Sequence, residues 1–211
     1  METIIDREFC LRHPRRIIGL FGLDVYLGLL FNKDKSLLER LSDKYSAHAT
    51  PMPGPLGNAY KLSALFEFRV ARIYERMAER FRDQTAAHEL FMELHEEEME
   101  HGRLMLVCYY TVELTPSIEF IPDVRDPAIR DSLNELRELE RSVDTLSLQE
   151  ALEITIKLEK SEVNVIFGKL LNQVDKAQSR LFVEQFKGIE GHSESVPRRI
   201  SELRQAGALP F

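Results

Sequence analysis

The chain has 211 residues, 44% hydrophobic and 30% charged, which describes a soluble globular protein of one domain with room for a substantial core. Its net charge of -7 argues against a nucleic-acid binder, which presents a basic face to phosphate, and suits the binding of cations. The two cysteines, Cys10 and Cys108, form no C-x-x-C pair, which excludes a zinc ribbon, a rubredoxin-like iron centre and a disulfide framework and makes a reducing cytoplasm the expected location.

Arg12, Arg15 and Arg16 precede the apolar run Ile17 to Phe31. A signal peptide has this outline, but Asp24 interrupts the run, no small-residue cleavage site follows, and the run falls short of the roughly 20 residues that cross a bilayer. The pattern from Arg15 to Tyr45 predicts two short helices joined around Asn32-Lys33-Asp34-Lys35. The first is apolar nearly all round and must be covered, within its own domain or in a homodimer interface in preference to a membrane surface. The second, Ser36 to Tyr45, is amphipathic. Ala49 to Asn58 holds Pro51, Pro53, Gly54, Pro55 and Gly57 and is expected to be a loop. It would divide an N-terminal helical extension, residues 1–58, from a bundle, residues 59–211.

The first long helix is predicted from about Tyr60 to Asp83. One face carries Ser63, Ala64, Glu67, Val70, Ala71, Tyr74, Met77, Ala78 and Phe81, so a single acid, Glu67, interrupts a small and apolar stripe. A salt bridge to an arginine is one way to accommodate it. A second long helix, about Thr85 to Val112, follows a very short connection at Gln84-Thr85, which makes the two antiparallel neighbours. Its stripe is Leu90, Leu94, Glu98, His101, Met105 and Cys108, with Glu93, Glu96, Glu97 and Glu100 on other faces. A buried carboxylate costs several kcal/mol unless it is paired, protonated or bound to a cation. Glu98 and His101 are therefore either a surface-leaning acid with a hydrogen-bonded histidine or metal ligands, and Glu67 is their natural partner.

Pro116 and Pro122 end that helix. A crossover follows with its own short helix, where Asp126 is a good N-cap and Pro127 a first helical residue, reaching about Arg141. Ser147-Leu148-Gln149-Glu150 is a capping box opening a third long helix to about Val174. Leu148, Leu152, Thr155, Glu159, Glu162, Val163, Ile166 and Leu170 share its inner face, unless ion pairs with Lys157 and Lys160 draw the two acids to the surface. The fourth helix, after a turn near Asp175, carries Phe182, Phe186, Ile189, His192 and Val196 on one face. A second Glu-x-x-His ending at His192 has Ile189 where glutamate is needed, and Glu190 lies about 100° around the axis unless a π-bulge intervenes. Residues 197–211 read as one more short helix. His13, His48, His88 and His95 have no partner pattern, and Tyr109 and Tyr110 read as packing.

Glu67 precedes Glu98 by 31 residues, and Glu159 precedes Glu190 by the same interval. With Glu67, Glu98-x-x-His101, Glu159-x-x-Glu162 and Tyr74 two turns after Glu67, residues 60–196 resemble the ferritin-like superfamily, and within it the rubrerythrin-type di-iron carboxylate proteins. The resemblance implies an all-α, ferritin-like four-helix bundle with a long crossover, preceded here by the N-terminal extension. It also implies two iron ions, or manganese in their place, held in the bundle core. Glu67 would be a terminal ligand of one ion, Glu98 a bridge and His101 a terminal ligand of the other. Glu159 and Glu162 would supply the opposite half, completed by Glu190 or His192. Tyr74 would stand beside the metals, orienting a ligand or controlling radical leakage, and Phe167 takes the place of a second tyrosine. The implied activity is peroxidase or ferroxidase chemistry on H2O2 or O2. An external electron donor is needed for the former, since no rubredoxin module is present. Two other classes fit the same pattern: a ferritin-like scaffold that has lost its site and serves binding or assembly, and an oxygenase of an organic substrate.

Overall fold

A computed structural model of the chain describes residues 7–32, 34–48, 54–111, 127–160 and 192–210. Among these the fold is all-α, with nine α-helices, one 3-10 turn and no strand. Helices α1 (Arg7–Arg12), α2 (Pro14–Phe21), α3 (Leu23–Phe31) and α4 (Leu37–His48) precede the two long ones, α5 (Gly54–Arg80) and α6 (Thr85–Thr111). Then come α7 (Pro127–Ser142), the 3-10 turn Val143–Thr145, α8 (Leu148–Glu159) and α9 (His192–Gln205).

The α5/α6 hairpin is the frame. Each helix has 27 residues, about 40 Å at 1.5 Å per residue. The chain reverses within Phe81 to Gln84, where the Gln84 carbonyl accepts from the amides of Ala87 and His88 at 2.9 and 3.0 Å and so starts α6. Two histidines fix the register. His88 Nδ1 lies 3.0 Å from the Ala78 carbonyl oxygen and His95 Nδ1 lies 2.9 Å from that of Ala71. A carbonyl has no proton to give, so in both rings Nδ1–H donates. Seven residues on one helix match seven on the other, as antiparallel alignment requires. The Phe68 ring of α5 packs onto Gly102 of α6, in the space that a Cβ would take.

α5 begins within the stretch expected to be a loop. Pro55 and Gly57 sit in its first turn, where proline costs little because the first amides have no intrahelical acceptor. Residues 49–53 lie outside the described ones. The apolar run from Ile17 is likewise not one helix but two, because Gly22 breaks it with φ 98 and ψ 161, a region essentially reserved for glycine. Lys44 braces this break, bonding the Phe21 carbonyl at 2.7 Å and Asp24 at 2.9 Å. Ile17, Phe21, Val25 and Leu29 turn inward with Leu37, Leu38 and Leu41 of α4. They form one apolar cluster with Ala59, Tyr60 and Ala64 of α5 and Leu104, Met105, Val107 and Cys108 of α6. Burial there pushes the Cys108 thiol up to about 12. Ser36 and Glu39 form a capping box at the start of α4, and Ser36 also donates to Glu100 of α6 at 2.8 Å.

A second cluster fills the other end of the hairpin. Tyr74, Met77, Phe81, Leu90, Phe91 and Leu94 pack there with Ile129, Leu136, Leu148, Leu152, Val196 and Ile200. The outer face of α5 grips α7 through arginines: Arg69 and Arg72 both reach the Glu140 carboxylate at 3.2 Å, while Arg76 and Arg80 bond the Glu140 and Asp144 carbonyls. The capping box of α8 forms as the sequence predicts, with the Glu150 amide bonded to Ser147 and the Ser147 amide to Glu150. α8 ends at Glu159 with Lys160 as its C-cap; the rest of the stretch expected as a third long helix, including Glu162 and Phe167, and the expected turn near Asp175 and Glu190 lie outside the described residues. Pro197 does not separate a fourth helix from a tail helix. It lies inside α9, which runs through it to Gln205. Among the described residues no helix is long and apolar enough to cross a membrane.

The break at Gly22 supplies a test of this fold. A Cβ there would lie 2.6 Å from Asp24 Oδ1 and 3.0 Å from Lys44 Nζ, in a backbone conformation that side chains disfavour. Gly22→Ala is expected to lower stability by about 1–3 kcal/mol in urea unfolding. Gly19→Ala, on a helical residue with nothing close to the added methyl, is expected to be neutral or stabilising.

Candidate metal centre

Glu67 is the fourteenth of the 27 residues of α5, and Glu98 is the fourteenth of the 27 of α6. The antiparallel hairpin therefore sets the two acids opposite each other at mid-length, far from either helix end. Their residues are each 3% exposed. One ligating atom of Glu67, one of Glu98 and one ring nitrogen of His101 all lie within 4.8 Å of one another. His101 Nδ1 donates to Glu98 Oε2 at 2.9 Å, with the histidine side chain 12% exposed. From the third side α8 brings Glu159, 1% exposed, and Tyr74 of α5 donates its hydroxyl proton to Glu159 Oε1 at 2.7 Å. Three carboxylates and a phenol from three helices thus converge where the stripes of α5, α6 and α8 face one another.

These acids raise one another's proton affinity. The Glu67 carboxyl stands well above the ordinary 4.5, first through burial, then through the negative charge of Glu98, a hydrogen bond with that side chain and the charge of Glu159. Glu159 is pushed up to about 8 by burial and by Glu98, against the hydrogen bond from Tyr74, which lowers it. The Tyr74 hydroxyl is raised well above its usual range by burial and then by Glu159 and Glu98.

The expected alternative for Glu67, an internal salt bridge to arginine, is not found among the described residues: its neighbours there are Glu98, Glu159 and His101. Glu159 is not drawn to the surface by an ion pair either: it is 1% exposed, while Lys157 turns outward to Glu135 at 3.8 Å in an exposed pair. Of the other residues predicted to ligate, Glu162 and Glu190 lie outside the described residues. His192 is the first residue of α9, and its side chain is not described.

Sequence periodicity missed the outer layer. Arg199 of α9 pairs with Glu93 and, at 3.3 Å, with Glu97 of α6, 102 residues away along the chain. Glu97 neighbours Glu98 in sequence. Its carboxyl is raised by burial and drawn down by Arg199, and the same arginine lowers Glu159. Nothing in the spacing of Arg199 marks it, because α9 reaches the site only through tertiary packing.

The donor set fits a divalent metal. Carboxylate oxygens with one imidazole suit Fe(II), Mn(II) or Zn(II). Two ligands at about 2.1 Å in adjacent octahedral positions stand about 3.0 Å apart, and the His101 Nδ1 to Glu98 Oε2 separation is 2.9 Å. Once the shared proton leaves, Glu98 and His101 could hold an ion together, with Glu67 contributing from α5. Known protein families, curated proteins and solved structures give no match to the chain.

The proton affinities fix a pH dependence for the metal-free protein. A carboxyl that holds its proton more tightly folded than unfolded stabilises the fold while protonated. For Glu159 that contribution is complete below about pH 4.5 and is lost as the pH rises through about 8. Chelator-treated protein should lose stability, on the order of a few kcal/mol, between pH 5 and pH 8 in urea unfolding. Glu159→Gln, which keeps the shape of the protonated acid, should flatten that slope, and an equal slope in the variant would count against the cluster as its source.

Proposed function

We propose that the chain is a di-metal oxidoreductase of rubrerythrin or ferroxidase type, built as a ferritin-like four-helix bundle and using two iron ions, or manganese, to reduce H2O2 or O2. The observation that carries this reading is the convergence of Glu67, Glu98 and His101 within 4.8 Å in a buried, apolar setting. A neighbouring carboxylate, Glu159, stands ready on the opposite helix.

Glu67 and His101 would hold one ion each from α5 and α6, and Glu98, between them, would bridge. Glu159 would enter from α8, with Glu162 and Glu190 or His192 completing its half of the site. Bound as Fe(II), such a pair supplies the two electrons that, with two protons, take H2O2 to water, and an external donor restores them. The protein's own part is positional and protic. Tyr74 holds Glu159 by its hydroxyl at 2.7 Å, which fixes the carboxylate's orientation. The raised proton affinities of Glu67 and Glu159 mean that protons are released when a cation arrives and are available nearby afterwards. The surrounding apolar faces keep bulk water away.

A scaffold that has lost its site is the weaker reading. Three acids exposed by 1–3% carry a standing desolvation cost, and a bundle without a cation to bind gains nothing by keeping them. Anaerobic Fe(II) titration of the full chain should saturate at two ions, as a di-iron centre requires. Glu98→Ala should weaken binding by at least about 100-fold, the loss expected when a bridging ligand is removed. Adding H2O2 to the loaded protein should then oxidise the iron, followed in the ultraviolet. Failure of the wild type to bind Fe(II) or Mn(II) at micromolar concentrations would overturn the reading.

A further inference from the structure

Helices α2 and α3 bury Ile17, Phe21, Val25 and Leu29, yet α3 also presents apolar residues on its outer side, joined by Leu20 of α2, whose other exposed residues include Arg15 and Arg16. Leu20, Leu23, Leu27 and Leu30 are 39–54% exposed and Phe31 is 79% exposed. Leu23, Leu27 and Leu30 follow the i, i+4, i+7 spacing, so they form one ridge along α3 with Phe31 at its end. Single exposed leucines call for no explanation. Five adjoining residues presenting roughly 400–500 Å² of apolar surface lie in the range of patches that usually have a binding role.

We propose that this ridge is a two-fold interface through which two copies of the chain associate. The area is the first argument. A stable interface covers about 800 Å² per partner, a little over half of it apolar, which is the apolar area the ridge offers, leaving a polar rim to be drawn from residues such as Arg16 and Asp24. Self-complementarity is the second. A ridge centred on Leu27 meets its own copy antiparallel with Leu23 against Leu30 of the partner subunit, and the reverse contact repeats by symmetry. Charge is the third. The exposed sides of α2 and α3 carry both signs, Arg15 and Arg16 on one and Asp24, paired with Lys44 at 2.9 Å, on the other. A two-fold copy can offer each sign an opposite one, whereas an anionic lipid surface is best met by lysine and arginine alone and would leave Asp24 against it.

The interface stands apart from the metal centre, because α2 and α3 pack into the cluster of Leu104 to Cys108 and not into the one containing Tyr74. The test is sedimentation velocity on the full chain at micromolar concentration. The wild type should sediment as a dimer, and Leu27→Glu should weaken association on the order of 100-fold or more while leaving Fe(II) binding and helical circular dichroism unchanged. If Leu27→Glu fails to fold, Leu27→Cys decides. The two native cysteines are buried, so mild oxidation should link that variant into a disulfide-bonded dimer. A monomeric wild type overturns the proposal, as does a dimer indifferent to Leu27→Glu or a Leu27→Cys variant that stays unlinked. A wild type that is monomeric in solution but co-sediments with phosphatidylglycerol vesicles overturns it in favour of a lipid surface.

Discussion

Like charges held apart from water at one point of the bundle are the constraint on which the rest of the structure depends. Two carboxylates about 5 Å apart repel by about 3 kcal/mol at an effective dielectric of 20, and here Glu67, Glu98 and Glu159 are all involved at once. Such a cluster is eased by shared protons or by a cation at its centre, beside what Arg199 offsets at Glu97 and Glu159. Both need the helices to be held firmly, since the acids would otherwise relax by moving apart or toward solvent. The bonds from His88 and His95 to α5 carbonyls do this for α5 and α6. The Glu150–Ser147 capping box fixes the start of α8, twelve residues before Glu159 on the same helix.

The positive charge of α5 is arranged so as not to resolve this repulsion. Arg69 and Arg72 lie within two turns of Glu67, where a guanidinium reaching inward would cancel the acid, and Arg76 and Arg80 follow further along α5. Instead their guanidinium groups are spent on Glu140, Asp144 and the carbonyls between α7 and α8. The same contacts that dock α7 therefore keep the arginines of α5 away from Glu67. Mid-helix placement acts in the same direction, because Glu67 and Glu98 stand about 20 Å from the helix ends, beyond the reach of terminal partial charges.

This division explains what was legible in the sequence. Stripe periodicity found Glu67, Glu98, His101 and Glu159 because a lone acid among apolar residues at helical spacing is a local signal, and the structure does bring these together. It found the capping box at Ser147 for the same reason. The Gly22 break was not legible, since Gly19 and Gly28 lie in the same run and stay helical; only the packing of α2 against α3 selects the middle glycine. Pro55 and Pro197 misled in the same way, because proline marks a boundary only by position within a turn. The partners of His88 and His95 depend on the register of two helices, and Arg199 on how α9 docks. Both are tertiary facts with no local trace.

On the di-metal reading, stability and binding are tied to the same atoms. The carboxyls that weaken the metal-free fold as the pH rises through neutrality are those that would gain most from an ion, because deprotonation removes the competitor for each ligand site as it raises the repulsion. Metal binding then stabilises the fold by mass action, and more strongly at pH 8 than at pH 5. A cluster kept only for packing would behave oppositely: neutral side chains of similar shape would serve it better at every pH. The cost that three buried acids impose on the metal-free fold is thus the strongest physical support for the proposal that the centre is built around a cation.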